Sequence, residues 1–271
     1  MNRVIFFVFV LLHTVLWSHA QGFGGVAGAA PEGMSIKGLV VSTAFSGFIN
    51  PATLAFNTKP TAGLYYSYGL VSSNLSTKAA AAVLPGLRGV FSLNGSYYGY
   101  NQYSEQRYSL AYAKVLGNSL AAGVSLDYCH IGLGGVYGSS GSFTFGLGLK
   151  AQIANDLQFG ARVFNPISSG FSNLVQAKLP SEMGVGLTYS FSKQLWASLE
   201  VTKQSDMDAG IGLGFEYAVF QNFKVRGGYG LNPNAWSFGV GFKAKYFDAD
   251  LASVYHPIMG FAPRLSVVFW Y

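Results

Sequence analysis

The feature that most constrains this chain of 271 residues is an alternation of apolar side chains with small or polar ones, sustained from residue 61 to the C terminus. Side chains of a strand point alternately to two faces, so a period of two residues predicts strands with one apolar face. The final strand shows the pattern clearly, because the chain ends on three aromatic residues and every second residue is apolar: Leu265, Val267, Phe269 and Tyr271.

The low content of charged residues indicates which kind of β-structure these strands form. Charged residues make up 10% of the chain, whereas ordinary domains carry about 25%. A soluble β-sandwich would bury its aromatic residues and expose Lys and Glu, but here the second face of each strand is mostly Gly, Ser, Thr or Asn. Only helices and closed barrels satisfy their backbone in lipid. The sequence therefore predicts an all-β, transmembrane, antiparallel up-and-down β-barrel with its apolar face toward lipid.

The turns give the strand count and the orientation. Short turns such as Pro85-Gly86 and Asn155-Asp156 alternate with longer polar loops such as 134–141 and 165–181. Outer-membrane barrels have short periplasmic turns and longer external loops, so we expect an even number of strands with both chain ends in the periplasm. About 14 strands satisfy this, with the Ala-rich segment needed as a strand to keep the count even, and about 12 is the alternative count. The predicted strands are 61–70, 76–84, 87–100, 106–115, 119–131, 142–153, 157–164, 182–191, 195–204, 209–219, 223–230, 235–244, 246–255 and 264–271.

The N-terminal 60 residues differ from the barrel region. Residues 1–20 contain a basic start, an apolar run over Val4–Trp17 and the sequence Ser18-His19-Ala20, which is the pattern of a cleaved secretory signal peptide. The run is shorter than the ~20 residues that a helix needs to span a bilayer. We expect residues 21–60 to form a flexible Gly/Ala-rich periplasmic lead followed by a plug segment, and residues 61–271 to form the barrel.

A motif at the end of this segment points to a family. Residues 50–55 read Asn-Pro-Ala-Thr-Leu-Ala and follow a Gly/Ser/Ala-rich stretch. This arrangement resembles the N-terminal signature of FadL-like barrels, especially the PorV/PorQ branch. The resemblance implies a 14-stranded barrel in which Asn50, Pro51 and Ala52 belong to a small plug or gate. It implies an accessory barrel of type IX secretion that contacts a translocon or another outer-membrane complex, or alternatively a channel for a hydrophobic small molecule.

Charged residues near the predicted periplasmic mouth form a second candidate site. They occupy lumen-facing positions on neighbouring strands, where charges can pair across the sheet: Glu216, Lys224, Arg226, Lys243, Lys245, Asp248 and Asp250. Arg88 and Lys150 add positive charge at the same level. The set is either an ion-paired filler that stiffens the wall or a clamp on the segment around Asn50-Pro51.

Few residues of the sequence could form a disulfide, a metal site or a catalytic site. The one cysteine, Cys129, rules out an intramolecular disulfide, and it points to the opposite face from its neighbour His130. We expect no metal, no cofactor and no nucleic-acid partner, since neither ligand spacing nor a basic run is present. A lipid-modifying enzyme with Asp206, Asp208 and His256 near the outer rim is the third alternative, behind the two non-enzymatic functions.

The C-terminal strand also has an expected role in assembly. Leu265, Val267, Phe269 and Tyr271 form the apolar face that meets lipid, and terminal aromatic residues suit the headgroup level. We expect this face to be the insertion signal read by the outer-membrane assembly machinery. The expected partners are therefore the lipid bilayer and that machinery.

Overall fold

The computed structural model describes residues 23, 25–69, 75–86, 88–134, 138–171 and 179–271. Its strands form one closed antiparallel barrel in which each strand pairs with its sequence neighbours and β1 pairs with β14. The strands are β1 Thr61–Ser67, β2 Thr77–Gly86, β3 Gly89–Tyr100, β4 Tyr103–Val115, β5 Leu120–Leu133, β6 Ser139–Ala154, β7 Leu157–Phe164, β8 Glu182–Ser190, β9 Leu195–Gln204, β10 Gly210–Phe220, β11 Phe223–Leu231, β12 Ala235–Lys243, β13 Phe247–His256 and β14 Gly260–Trp270. The predicted signal peptide, residues 1–20, lies outside the described residues.

The strand count confirms the fourteen-stranded prediction and excludes twelve strands. The Ala-rich segment is β2, which pairs with β1 on one side and with β3 on the other. Closure is made by β14, whose Trp270 lies opposite Thr61 and whose Arg264 lies opposite Ser67. β6 begins earlier than predicted, at Ser139, because the Gly/Ser-rich residues 139–142 pair with residues 129–132 of β5.

The outward face of the barrel is apolar, as the alternation predicts. Leu93 is 62% exposed and Phe143 is 65% exposed, values that suit contact with acyl chains rather than water. Within the described residues, no helix has the length and apolar character needed to cross a membrane.

The two ends of the barrel differ, and they are named here by their connections. The turn end carries the connections 87–88, 116–119, 155–156, 191–194, 221–222 and 244–246, together with the end of β14. The loop end carries the other connections, including the longest, 165–181.

The interior is filled by residues 25–60, here called the plug. It contains one short helix, α1 (Ala29–Glu32), and two 3₁₀ helices, η1 (Ser46–Phe48) and η2 (Pro51–Phe56). Phe45 and Phe48 of the plug are buried against small wall residues of β2–β4, including Ala111 and Ala113. The hydrophobic core therefore lies inside the barrel, between plug and wall.

The plug backbone lies directly on glycines of the wall. A Cβ added to Gly212 would come within 2.2 Å of the Ser35 carbonyl oxygen, and one added to Gly214 or Gly228 would come within 2.1 Å of that of Met34. No side chain fits at such separations, so these wall positions require glycine.

The course of residues 25–38 differs from the flexible periplasmic lead that we predicted. Val26, Ala29, Met34 and Ile36 are buried, because the lumen provides this Gly/Ala-rich stretch with the apolar contacts that water would not. Phe23, two residues before the plug, lies at the loop end, where its N–H donates to Glu105 Oε2 at 2.8 Å. Phe23, the first described residue, thus lies at the end of the barrel opposite the C terminus. The N terminus itself lies outside the described residues, so the periplasmic location of both chain ends stays a prediction.

Candidate functional site

The predicted Asn50-Pro51-Ala52 motif joins the plug to the wall. Asn50 caps η2, accepting a hydrogen bond from the Ala52 N–H at 3.1 Å, as Asn does at helix starts. Its side-chain amide donates to the carbonyl of Leu39 at 2.6 Å and to that of Leu149, on β6, at 3.0 Å. Asn50 is fully buried, so each of these groups needs its partner.

Three strands along from β6, Glu200 of β9 holds the plug by its backbone. Its carboxylate accepts hydrogen bonds from three consecutive N–H groups: those of Lys37 at 2.8 Å, Gly38 at 3.2 Å and Leu39 at 2.7 Å. Gly38 has φ +87°, a conformation that glycine adopts easily. Successive N–H groups that turn around an anion in this way form a nest.

Leu39 therefore receives wall contacts from two directions. Its N–H donates to Glu200 on β9, and its carbonyl accepts from Asn50, which also bonds to β6. We call residues 37–50 the strap, because this segment is hydrogen-bonded to β9 near its start and to β6 at its end. Charge-assisted hydrogen bonds of this kind each contribute about 1.5–3 kcal/mol.

Two ion-pair groups add further attachments between plug and wall. Glu182 on β8 bonds to Lys37 at 2.7 Å and to Arg162 at 2.9 Å. Glu32 of α1 accepts from the Tyr65 hydroxyl at 2.6 Å and pairs with Arg264 at 2.6 Å. Since Tyr65 lies on β1 and Arg264 on β14, Glu32 bridges the two strands that close the barrel.

A further buried pair supports η1. Arg107 pairs with Asp127 at 2.9 Å and donates to the Phe48 carbonyl at 3.2 Å. Its guanidinium lies 4.1 Å from the Phe164 ring centroid and 5.3 Å from that of Phe48. A buried cation of this kind needs both its counter-ion and its hydrogen bonds, so Arg107 ties the plug to the wall below the loop end.

The predicted charge cluster is partly assembled. Arg226 donates to Glu216 at 2.7 Å and to Asp250 at 2.6 Å, and Lys224 pairs with Glu216 at 2.8 Å. Trp196 also donates to Glu216, at 3.3 Å. These bonds join β9, β10, β11 and β13, so they stiffen the wall itself.

The remaining members of the cluster lie at its edge. Lys243 lies over the Trp270 ring at 5.5 Å, and Lys245 lies in an exposed turn over Tyr246 at 5.0 Å. Asp248 faces Lys243 in register. The predicted clamp on Asn50-Pro51 is wrong, because that motif packs against β5 and β6, where a Cβ on Gly148 would meet Asn50 Oδ1 at 2.0 Å. Glu200 and Asn50 itself make the attachment instead.

A cavity of about 480 Å³ separates the plug from this part of the wall at the turn end. Its lining is polar and charged on the wall side, with Lys150, Glu216, Arg226 and Asp250 among the contributors. Lys150 lies over the Phe56 ring at 4.9 Å. We call this cavity the turn-end basin.

The loop end is capped by an apolar cluster. Its buried members are Phe23, Cys129, Phe164, Phe171 and Leu179, with Ile131 packed against them. The Phe23 and Phe171 ring centroids lie 5.3 Å apart, so the residue two positions before the plug contacts the longest loop. Cys129 faces this cluster, while His130, at the next position on β5, lies opposite Gln106 of β4.

The predicted rim residues are placed apart from one another in the fold. Asp206 and Asp208 lie in the connection between β9 and β10, and His256 ends β13. Among the described residues, no group of three His, Cys, Asp or Glu side chains is placed to hold a metal ion.

The residues that hold the plug were largely missed from the sequence: Glu32, Glu182, Glu200, Arg107 and Asp127. A usable signal existed, because each wall member is a charge on a lumen-facing strand position among Gly, Ser and Thr. Such charges are costly inside a membrane protein unless they are paired.

Comparison with known proteins identifies the fold. No protein-family model matches the sequence, and no curated protein sequence matches it. The monoaromatic hydrocarbon channel CymD superposes with a TM-score of 0.70 at 14% identity, over 90% of this chain and 97% of that one. The toluene transporter TbuX of Ralstonia pickettii gives 0.67 at 16% identity, over 92% and 98%. A FadL homologue of Pseudomonas aeruginosa gives 0.61 at 10% identity, over 92% and 98%.

These likenesses define the chain as a fourteen-stranded transmembrane barrel with the fold of FadL-type transporters. At these low sequence identities, the structural likeness establishes the fold alone. The PorV/PorQ branch and type IX secretion stay predictions.

Proposed function

We propose that this protein is an outer-membrane channel for small hydrophobic solutes, held closed by its plug. The observation that carries the proposal is the apolar loop-end cluster, which places the Phe23 and Phe171 rings in contact above the plug. An apolar site of this kind suits a ligand that has no charge to satisfy. The hydrocarbon and toluene transporters that share the fold support the same class of solute.

The proposed route runs from the loop end to the turn end. Short turns face the periplasm in outer-membrane barrels, so the loop end is assigned to the outside. A solute would leave the loop-end cluster, pass the strap and reach the turn-end basin. The obstacle on this route is the strap, whose Leu39 and Asn50 are fully buried inside the barrel.

A disulfide lock tests whether the strap must move. A Cβ on Gly186 would lie 3.3 Å from the Leu39 Cβ, close to the 3.5–4.5 Å typical of a disulfide. The variant Leu39→Cys/Gly186→Cys would be made in a Cys129→Ser background, so that no other thiol competes. Toluene uptake by bacteria carrying the oxidised variant should fall to that of bacteria lacking the protein, and reduction should restore it.

A second lock serves as the matched control. A Cβ on Gly33 would lie 3.2 Å from the Ala252 Cβ, so Gly33→Cys/Ala252→Cys fastens the end of α1 to β13 and leaves the strap free. Uptake through this variant should be insensitive to oxidation. Equal uptake by the oxidised and reduced forms of the Leu39/Gly186 variant would refute the gating role of the strap.

A secretion-associated role is the second candidate. It is favoured by the Asn50–Ala55 motif, which resembles the PorV/PorQ signature, and by a plug whose residues are buried along most of the lumen. Co-purification from detergent-solubilised outer membranes tests it. Recovery of a translocon with the barrel would favour secretion, whereas recovery of the barrel alone with toluene uptake intact would favour the channel.

A further inference from the structure

A groove on the outer surface of the wall lies outside the proposed route. It is found at the turn end of β2–β4, has a volume of about 610 Å³, and is lined by Gly86, Arg88, Gly89, Phe91 and Tyr112. The Phe91 and Tyr112 rings pack at 4.7 Å. The Tyr112 ring lies over Gly89, where an added Cβ would come within 2.6 Å of the Tyr112 hydroxyl. The glycines thus form the floor of an apolar groove on the membrane-facing side.

One cation lines the turn-end rim of this groove, and two more are exposed at the same end of the barrel. The Tyr112 hydroxyl donates to the Arg88 carbonyl at 2.9 Å, which fixes the backbone of the turn, while the Arg88 residue is exposed. Lys114 is exposed two residues beyond Tyr112 on the same strand face, and Lys59 is exposed just before β1. In the sequence, the connections 57–60, 87–88 and 116–119 at this end contain no Asp or Glu.

The combination identifies an occupant by its chemistry. An apolar groove on the lipid side can take an acyl chain, and a basic rim at the membrane surface attracts an anionic headgroup. A groove lined by five residues is small for a transmembrane helix of 10–12 Å diameter. We infer that the groove binds one anionic phospholipid, with an acyl chain against Phe91 and Tyr112 and the phosphate between Arg88 and Lys114.

Such a site is separate from the channel. It would hold the β2–β4 sector at a fixed depth in a phospholipid leaflet, which places the turn end on the periplasmic side. The site could therefore exist in a protein that transports nothing, and its test does not depend on transport.

Native mass spectrometry of the delipidated barrel tests the inference. The barrel would be titrated with phosphatidylglycerol, with zwitterionic phosphatidylcholine and with glycerol phosphate, which has the charge but no acyl chains. Phosphatidylglycerol should bind most tightly. A basic residue near a membrane surface contributes about five-fold to binding an anionic lipid, so Arg88→Gln/Lys114→Gln should weaken it about 25-fold.

Two further variants separate charge from groove. Gly86→Leu fills the groove and keeps both cations, so it should also weaken phosphatidylglycerol binding. Lys193→Gln/Lys245→Gln removes the same charge from exposed turns of the same end and should leave that binding unchanged. Equal binding of both phospholipids, binding of glycerol phosphate as tight as that of phosphatidylglycerol, or equal losses in the two double variants would each overturn the site.

Discussion

The strongest test of the closed state is the substitution Glu200→Gln. The wild-type carboxylate offers two oxygens to three N–H groups, with Lys37 and Gly38 bonded to Oε2 and Leu39 bonded to Oε1. A Gln side chain has one oxygen, so its best placement keeps the first two bonds as neutral ones. Its amide N–H₂ then faces the Leu39 N–H, and that buried donor is left without an acceptor.

The magnitude follows from those bonds. Losing one charge-assisted bond costs about 1.5–3 kcal/mol, and weakening the other two adds about 1 kcal/mol, which gives a total of about 3 kcal/mol. This free energy favours release of the strap. Since 1.4 kcal/mol is a tenfold change in an equilibrium, the ratio of released to docked strap should rise about 100-fold.

Single-channel recording in planar bilayers measures this ratio as the fraction of time spent in a conducting state. Glu216→Gln is the matched control, because Glu216 also lies on a wall strand but bonds to Arg226, Lys224 and Trp196, which belong to the wall. Heat-modifiable migration on gels would establish that both variants keep the closed barrel. A Glu200→Gln trace that matches wild type, from an intact barrel, would refute the idea that these three bonds hold the strap.

Three other substitutions have definite outcomes. Gly214→Ala places a methyl group against the Met34 carbonyl, so it should displace the plug at a cost of about 1–3 kcal/mol and raise single-channel conductance. Gly95→Ala is the control, because its methyl group meets only a tyrosine ring at 3.5 Å, and it should leave the conductance unchanged. Phe171→Ala removes the ring packed on Phe23 and should reduce toluene binding, measured by calorimetry in detergent, without changing the melting temperature by more than a few degrees. Deletion of residues 269–271 removes the pairs that end β14 and should abolish membrane insertion; a heat-modifiable barrel from that variant would contradict the assigned insertion signal.

The barrel was predictable because its outer face contacts lipid whereas its inner face contacts the plug and polar groups. Every outward residue of β10 that the alternation assigns to lipid is exposed, from Ile211 to Val219, and the pattern needs no knowledge of the interior. β2 was harder to predict, because its alanines carry a weak signal on both faces. Its pairing with β1 and β3 decides its identity, and such long-range partners are not visible in local composition.

The plug was predictable in outline only. The motif at Asn50 marks where it enters its last turn, and its capping bond is local in sequence. The attachments through Glu200 join residues 161–163 positions apart, so no spacing rule connects them. The predicted clamp around Arg226 is wrong for a related reason. Its charged residues lie on neighbouring strands, so they pair with one another instead of with the plug.

The position of Glu32 has a consequence for assembly. α1 belongs to the part of the chain that is synthesised before any strand, yet Glu32 binds Tyr65 on β1 and Arg264 on β14, and the Ala29 N–H donates to Ser266 of β14 at 3.2 Å. A segment that is synthesised before the strands thus holds together β1 and β14, the pair of strands that forms last. A ring that closes over its own N-terminal segment has no later chance to admit it through the wall, so this segment is best placed to serve as the internal template on which the final strand finds its register.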